Sequence, residues 1–266
     1  AVLTLEERLS GGWCLTLRFS YTSRNYLCNA PCTTEVKLVE EDNRYTFSRF
    51  NRNSVWENGI LNTLTEKFNI QRVGEAEFLP ESVQNTQDNL YSLVEWLNQH
   101  VEQLAAEGFA ISQSVRDKNL YLSKIAISLS TDSSTDWFDL FGKIKLDGFE
   151  IPFVHLKRNI LKNIREFLLP NGQVFIIPEI WFSRYKPLML VGKDANEAVR
   201  LPKSLFGLLS GTDGVNSAAA SDIWNKLANL KSSNIQLPQG LNAQLRSYQR
   251  LGYAWLKLLN QNGING

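Results

Sequence analysis

The period of the hydrophobic pattern changes near residue 54, and a fold built only of strands or only of helices cannot satisfy both sides of that change. Before it, Trp13–Tyr21 (WCLTLRFSY), Glu35–Glu41 (EVKLVEE) and Arg44–Phe50 (RYTFSRF) have the apolar and β-branched content of strands, separated by Asn-rich and Pro-containing stretches. After it, Val55, Ile60, Leu61, Leu64 and Phe68 approximate a 3.6-residue stripe, with Ser54 and Glu57 at capping-box spacing. A short strand, EAEFLP, follows. Then Leu90, Leu93, Val94, Leu97, Val101 and Leu104 keep one face of a longer helix apolar, with Gly108 as its C-cap. His100 lies beside that stripe and reads as a surface or boundary residue. Strands first and helices after them predict an α+β fold with mixed antiparallel sheets and segregated helices.

The polar run Ser112–Asn119 reads as a connection between two subdomains. Beyond it, LYLSKIAISLS alternates like a strand, and STDWFDLFGKIKLDGFEI reads as a hairpin turning at LDG. PFVHLKRNILKNIREFLL predicts a helix with Phe153, Leu156, Ile160, Leu161, Ile164 and Phe167 inward and Pro152 in its first turn. NGQVFIIP makes a turn and a short strand. EIWFSRYKPLMLV starts as a helix that Pro187 breaks. LPKSLFGLL and SDIWNKLANL are short helices, and LPQG is a loop. The expected organisation is an acidic α+β subdomain over 1–111, a basic α+β subdomain over 112–240, and a closing amphipathic helix within 241–266.

Charge supports that division. Residues 1–110 hold 9 basic and 15 acidic side chains, and residues 111–266 hold 19 and 12. Such asymmetry marks either a binding surface in the basic half or two solvated surfaces of unlike bias. Opposite the apolar stripe of the PFVHLKRNILKNIREFLL helix, Lys157, Arg158, Lys162 and Arg165 can share one exposed side, which makes them the candidate nucleic-acid contacts.

Other chemistry finds little material. There is no phosphate-cradling GxxxxGK[ST], no GxGxxG after a strand, no HExxH and no GxSxG. The two histidines, His100 and His155, are far apart in sequence, which leaves little for general-base catalysis. Asp132, Asp136 and Asp139 lack the Gly and distal Glu of a calcium loop. Cys14, Cys28 and Cys32 are an odd number, and Cys28 and Cys32 have three intervening residues rather than two, so free thiols in a reducing cytoplasm are expected rather than a zinc site. No apolar run approaches the ~18 residues of a membrane span. The expectation is a chain that by itself catalyses nothing and holds no metal.

The closing segment, LRSYQRLGYAWLKLLNQNGING (Leu245–Gly266), goes further. Leu245, Tyr248, Leu251, Gly252, Trp255, Leu258 and Leu259 trace one helical face, and Arg246, Gln249, Arg250 and Lys257 lie largely off it. The order of residue types resembles the segment that opens the motor of SWI/SNF-type helicase-like ATPases of superfamily two. In that family a pattern like LRPYQxxGxxWLxxLxxxGxGG runs directly into LADDMGLGKT, the phosphate-binding loop. Leu245, Arg246, Tyr248, Gln249, Gly252, Trp255, Leu256, Leu259, Gly263 and Gly266 fall on the pattern; Ser247 and Asn265 depart from it. TDWFDL (Thr135–Leu140), NGQVFIIPEIWFSRY (Asn171–Tyr185) and LPQGLNAQLRSYQ (Leu237–Gln249) occur in this order in bacterial members, where an accessory region precedes the motor.

The resemblance implies that Gln249, with Arg246 and Tyr248 beside it, belongs to the adenine-side motif, since an amide donates and accepts at once. It implies ATP and Mg in a parent protein and none bound by this segment, which lacks the phosphate loop. An initial residue other than Met, a single methionine (Met189) and an abrupt end fit a fragment of a longer cytoplasmic protein. The expected function is a non-catalytic accessory region that helps position double-stranded DNA or a nucleoprotein complex for the parent's motor. The alternative is an interaction or autoinhibitory domain that touches protein, including that motor, with Trp13, Trp56 or Trp96 either exposed as anchors or buried in the core.

Overall fold

The structure, a computed structural model, describes residues 1–21, 24–41, 44–134, 136–230, 236–237, 240–241 and 243–264. The fold is α+β, as the change of period predicts. The chain forms two compact units: residues 1–124 with 168–176, and residues 125–167 with 177–266.

The first unit is built on strands β1 (Val2–Glu7), β2 (Trp13–Tyr21) and β3 (Arg24–Leu27), a separate two-stranded ribbon of β4 (Thr34–Glu41) and β5 (Arg44–Asn51), helix α1 (Ser54–Asn62), strands β6 (Ile70–Arg72) and β7 (Glu77–Pro80), helix α2 (Leu90–Ala106) and strand β8 (Ala110–Ser114). The main sheet runs β6-β7-β2-β1-β8, with β3 also on β2; every pairing is antiparallel except β1 with β8. Leu3, Leu5, Leu15, Leu17 and Phe19 of the sheet meet Leu93, Val94, Leu97 and Leu104 of α2 in one core. The cap of α1 differs from expectation. Asn53 rather than Ser54 is the N-cap, its side chain accepting from the Trp56 amide at 3.1 Å. Glu57 instead turns inward and pairs with Arg52 at 2.8 Å, with both side chains nearly buried.

The division between units falls at Lys124, not at residue 111. Strand β8 reaches across the sequence to pair with β1, a contact that polarity alone does not reveal. Gln113 then clamps the following turn, donating to the Leu120 carbonyl and accepting from its amide, both at 2.8 Å. Leu120 is fully buried, so the polar run is fastened to the first unit instead of swinging free.

In the second unit a mixed sheet contains β9 (Ala126–Ser133), β10 (Trp137–Leu146), β11 (Phe149–Pro152), β12 (Lys193–Ala195), β13 (Ala198–Pro202) and β14 (Val215–Asn216). Its order is β12-β13-β10-β9-β14, with β11 also on β10. Along β10, Phe138, Leu140, Ile144 and Leu146 are buried while Phe141, Lys143 and Lys145 are exposed, the two-residue alternation of a half-covered sheet. The hairpin turn sits at Asp147-Gly148, where Gly148 takes φ +88°.

The α-helices of the second unit are α3 (Lys157–Lys162), α4 (Glu179–Val191), α5 (Phe206–Ser210), α6 (Ala218–Ala228) and α7 (Ser247–Gln261). Two expectations are corrected here. The helix from Pro152 is short: a 3-10 turn (Phe153–Leu156) leads into α3, which ends at Asn163 with φ +54°. Asn adopts that left-handed conformation at little cost, and the Asn159 side-chain amide then ties off the Glu166 carbonyl at 2.8 Å. Pro187, in contrast, does not break α4, which continues to Val191. Burial of Tyr185, Leu188 and Met189 on both sides of it outweighs the lost hydrogen bond.

Candidate nucleic-acid interface

The candidate basic residues are positioned by close packing under α3. Gly142 on β10 has no side chain, and a Cβ there would lie 2.4 Å from Phe153, so the 3-10 turn can settle directly on the sheet. Phe153 is fully buried edge-on against Tyr185 at 5.0 Å and Trp181 at 6.2 Å, both on α4. Leu156 and Ile160 complete the buried side of α3.

Because α3 is only six residues long, the four cations are not one uniform face. Lys157 is committed internally: its Nζ donates to Asp194 at 2.5 Å and to the Gly192 carbonyl at 2.9 Å. Arg165 lies beyond the helix end and pairs with Glu179 at 3.3 Å, also donating to the Ile177 carbonyl. Both are largely buried and act as fasteners. Arg158 and Lys162, one helical turn apart, are exposed and have no ion pair among the described residues. They border a cleft of about 350 Å³ shared with His155, Leu161 and Asp194. Lys186 of α4 donates to the side chain of Asn163, the residue after Lys162, at 2.9 Å. Lys186 belongs to a different hydrophobic pattern, so the sequence does not signal this link between α4 and the end of α3. By sequence the second unit holds 16 basic and 11 acidic residues, and the first 12 and 16.

The closing helix forms as expected, and its N-terminal residues face solvent. Arg246, Tyr248 and Gln249 are exposed. The Gln249 amide oxygen accepts from the Arg246 backbone N–H at 2.9 Å, so it caps the first turn of α7. The capping leaves the amide nitrogen free to donate. Leu259 and Ala254 are buried, whereas Tyr248, Leu251, Trp255 and Leu256 are exposed.

The remaining sequence candidates occupy structural positions. Asp139 is held by Arg200 in a two-point pair at 2.7 and 2.9 Å, and that guanidinium lowers its carboxyl pKa. The Asp132 carboxylate accepts from the Ser133 amide. Cys14 is buried, Cys28 half-buried and Cys32 exposed, all three as free thiols. Burial pushes the Cys14 thiol up to about 11. Trp96 is buried, and Trp13 and Trp56 are half-buried against the core. Thr135, the first residue of TDWFDL, Pro238, Gln239 and Asn242 of LPQGLNAQLRSYQ, which include half of the LPQG loop, and Asn265 and Gly266 of the closing segment lie outside the described residues. Among the described residues no group of His, Cys, Asp and Glu is arranged to hold a metal, and no helix is long and apolar enough to cross a membrane. Comparison with family models, curated proteins and solved structures finds no match for this chain.

Proposed function

We propose that this chain is a non-catalytic accessory region of a bacterial SWI/SNF-type ATP-dependent DNA translocase, and that it contacts duplex phosphates through Arg158 and Lys162. The observation that carries the reading is the availability of these two cations on the basic unit. Their neighbours Lys157 and Arg165 are held in internal pairs, so they brace the surface while Arg158 and Lys162 remain free to meet an external anion. The ordered match of Leu245–Gly266 to the opening segment of the motor supports the family. In that setting Gln249, Arg246 and Tyr248 contribute to the adenine side once the phosphate loop, ATP and Mg are supplied by the parent. Contacts to phosphate carry no base information and displace counterions, so binding is indifferent to sequence and weakens as salt rises. A fluorescence titration of a labelled 20-base-pair duplex at ~50 mM salt tests this. Saturable binding by this 266-residue chain supports the reading, and no binding under those conditions contradicts it.

A second reading rests on a different observation. The exposed apolar residues of α7 suit contact with protein, as in a domain that regulates the parent's motor without touching DNA. The parent's ATPase rate without residues 1–240, and with Leu251→Ala and Trp255→Ala in α7, separates the two. Loss of DNA stimulation on deletion favours the first, and a rise in basal rate favours the second.

A further inference from the structure

The first unit contains a cleft of about 540 Å³ that the nucleic-acid reading does not use. Its walls are the turn after α1, the residues following β7, and one side of α2. The chain after α1 widens into a π-helical turn (Thr63–Lys67), in which the Thr63 and Thr65 hydroxyls donate to the Gly59 and Leu61 carbonyls one turn back. Asn69 then takes φ +50° at the mouth of the cleft. Turns of this π type inside helices are frequent at functional sites.

The floor is aromatic. The His100 ring stacks on Trp96 with centroids 4.4 Å apart, and Phe68 meets both edge-on. His100 Nδ1 lies 2.8 Å from the Trp96 carbonyl oxygen, which can only accept. In the neutral ring the proton therefore sits on Nδ1, leaving Nε2 as an acceptor. Two charges border the cleft. Lys67 is paired with Glu107. Glu81 accepts from the Gln71 amide at 2.7 Å and has no cationic partner among the described residues. The Gln99 and Gln103 amides complete the rim.

We propose that this cleft binds a guanidinium group, that of an arginine presented by a peptide or free in solution. A planar, weakly hydrated cation stacks on aromatic rings and brings several donors in one plane. The cleft answers with an imidazole acceptor, an unneutralised carboxylate and a weakly polar aromatic floor. A compact ammonium brings no planar set of donors, and an anion is repelled by Glu81 while Lys67 is occupied.

The chain's two histidines supply the test, because His155 in the other unit is an internal control. Ring ¹H–¹⁵N spectra of the full chain are followed while N-acetyl-arginine amide is added. A saturable shift of the His100 signals, with His155 unmoved, is expected. The neutral isostere N-acetyl-citrulline amide should bind at least about tenfold more weakly, and Glu81→Gln should weaken the arginine compound by about tenfold. His100→Phe, which keeps a ring on Trp96 but loses the acceptor, should also weaken it. Acetyl-Gly-Arg-Gly-amide binding tighter than free arginine assigns the group to a peptide; equal binding assigns it to the free amino acid. No saturable His100 shift by ~10 mM, or equal affinity for citrulline and arginine compounds, overturns the proposal.

Discussion

Helices α2 and α7 obey the same rule of sequence and reach different ends. Each repeats apolar residues at 3.6-residue spacing over four turns or more, 17 residues in α2 and 15 in α7. In α2 that stripe is consumed: Leu93, Val94, Leu97 and Leu104 are fully buried on the sheet. In α7 only the C-terminal end is consumed, with Leu259 buried, and Tyr248, Leu251 and Trp255 remain in the open. Periodicity thus predicts that a helix forms and which side is apolar. It does not tell whether the protein itself covers that side. An apolar stripe left uncovered is free for an external contact, which is why α7 supports the protein-contact reading and α2 supports none.

Leu97→Ala in α2 should cost about 3–4 kcal/mol, through lost burial plus a cavity, measured by urea denaturation. An effect under ~1 kcal/mol would show that the α2 core collapses around the deletion. The same core should respond to pH through Cys14 of β2. The folded thiol ionises near 11 against an ordinary 9.0, so it stays neutral where the unfolded thiol has lost its proton. Its stabilisation is complete below pH 9 and is lost as pH rises from 9 towards 11. Cys14→Ala should flatten that part of the stability profile. A smaller effect comes from the one imperfection of α2. Asn98 is buried, and its amide nitrogen and oxygen have no hydrogen-bond partner among the described residues. Asn98→Leu should therefore raise stability, by about 1 kcal/mol. Smallest of all, Leu251→Ala in α7 should change stability by less than ~0.5 kcal/mol, as for an exposed site. A cost comparable to that of Leu97→Ala would mean α7 is covered after all.

What was legible in the sequence follows range of interaction. Strand alternation in β10, the Asp147-Gly148 turn and the stripes of α2 and α7 are local patterns and form as read. The end of α3 is local too, but it depends on one Asn taking a left-handed conformation, a signal overridden by the apolar spacing of Ile164 and Phe167. Pro187 failed as a helix breaker because tertiary burial decides against local propensity. The division between units was missed because β8 pairs with β1, more than 100 residues earlier. The site shows the same split. That Lys157, Arg158, Lys162 and Arg165 form a basic group is legible. That Asp194 and Glu179 claim two of them is a long-range fact, and it halves the number of cations available to a ligand.

That halving makes the central claim quantitative. Each phosphate contact contributes about −0.9 to the slope of log affinity against log salt concentration on duplex DNA. The decisive measurement is that slope for the wild type and for the double variant Arg158→Ala with Lys162→Ala. The double variant should show a slope shallower by about 1.8, with weaker binding at every duplex sequence tried. An unchanged slope in a folded double variant would contradict it.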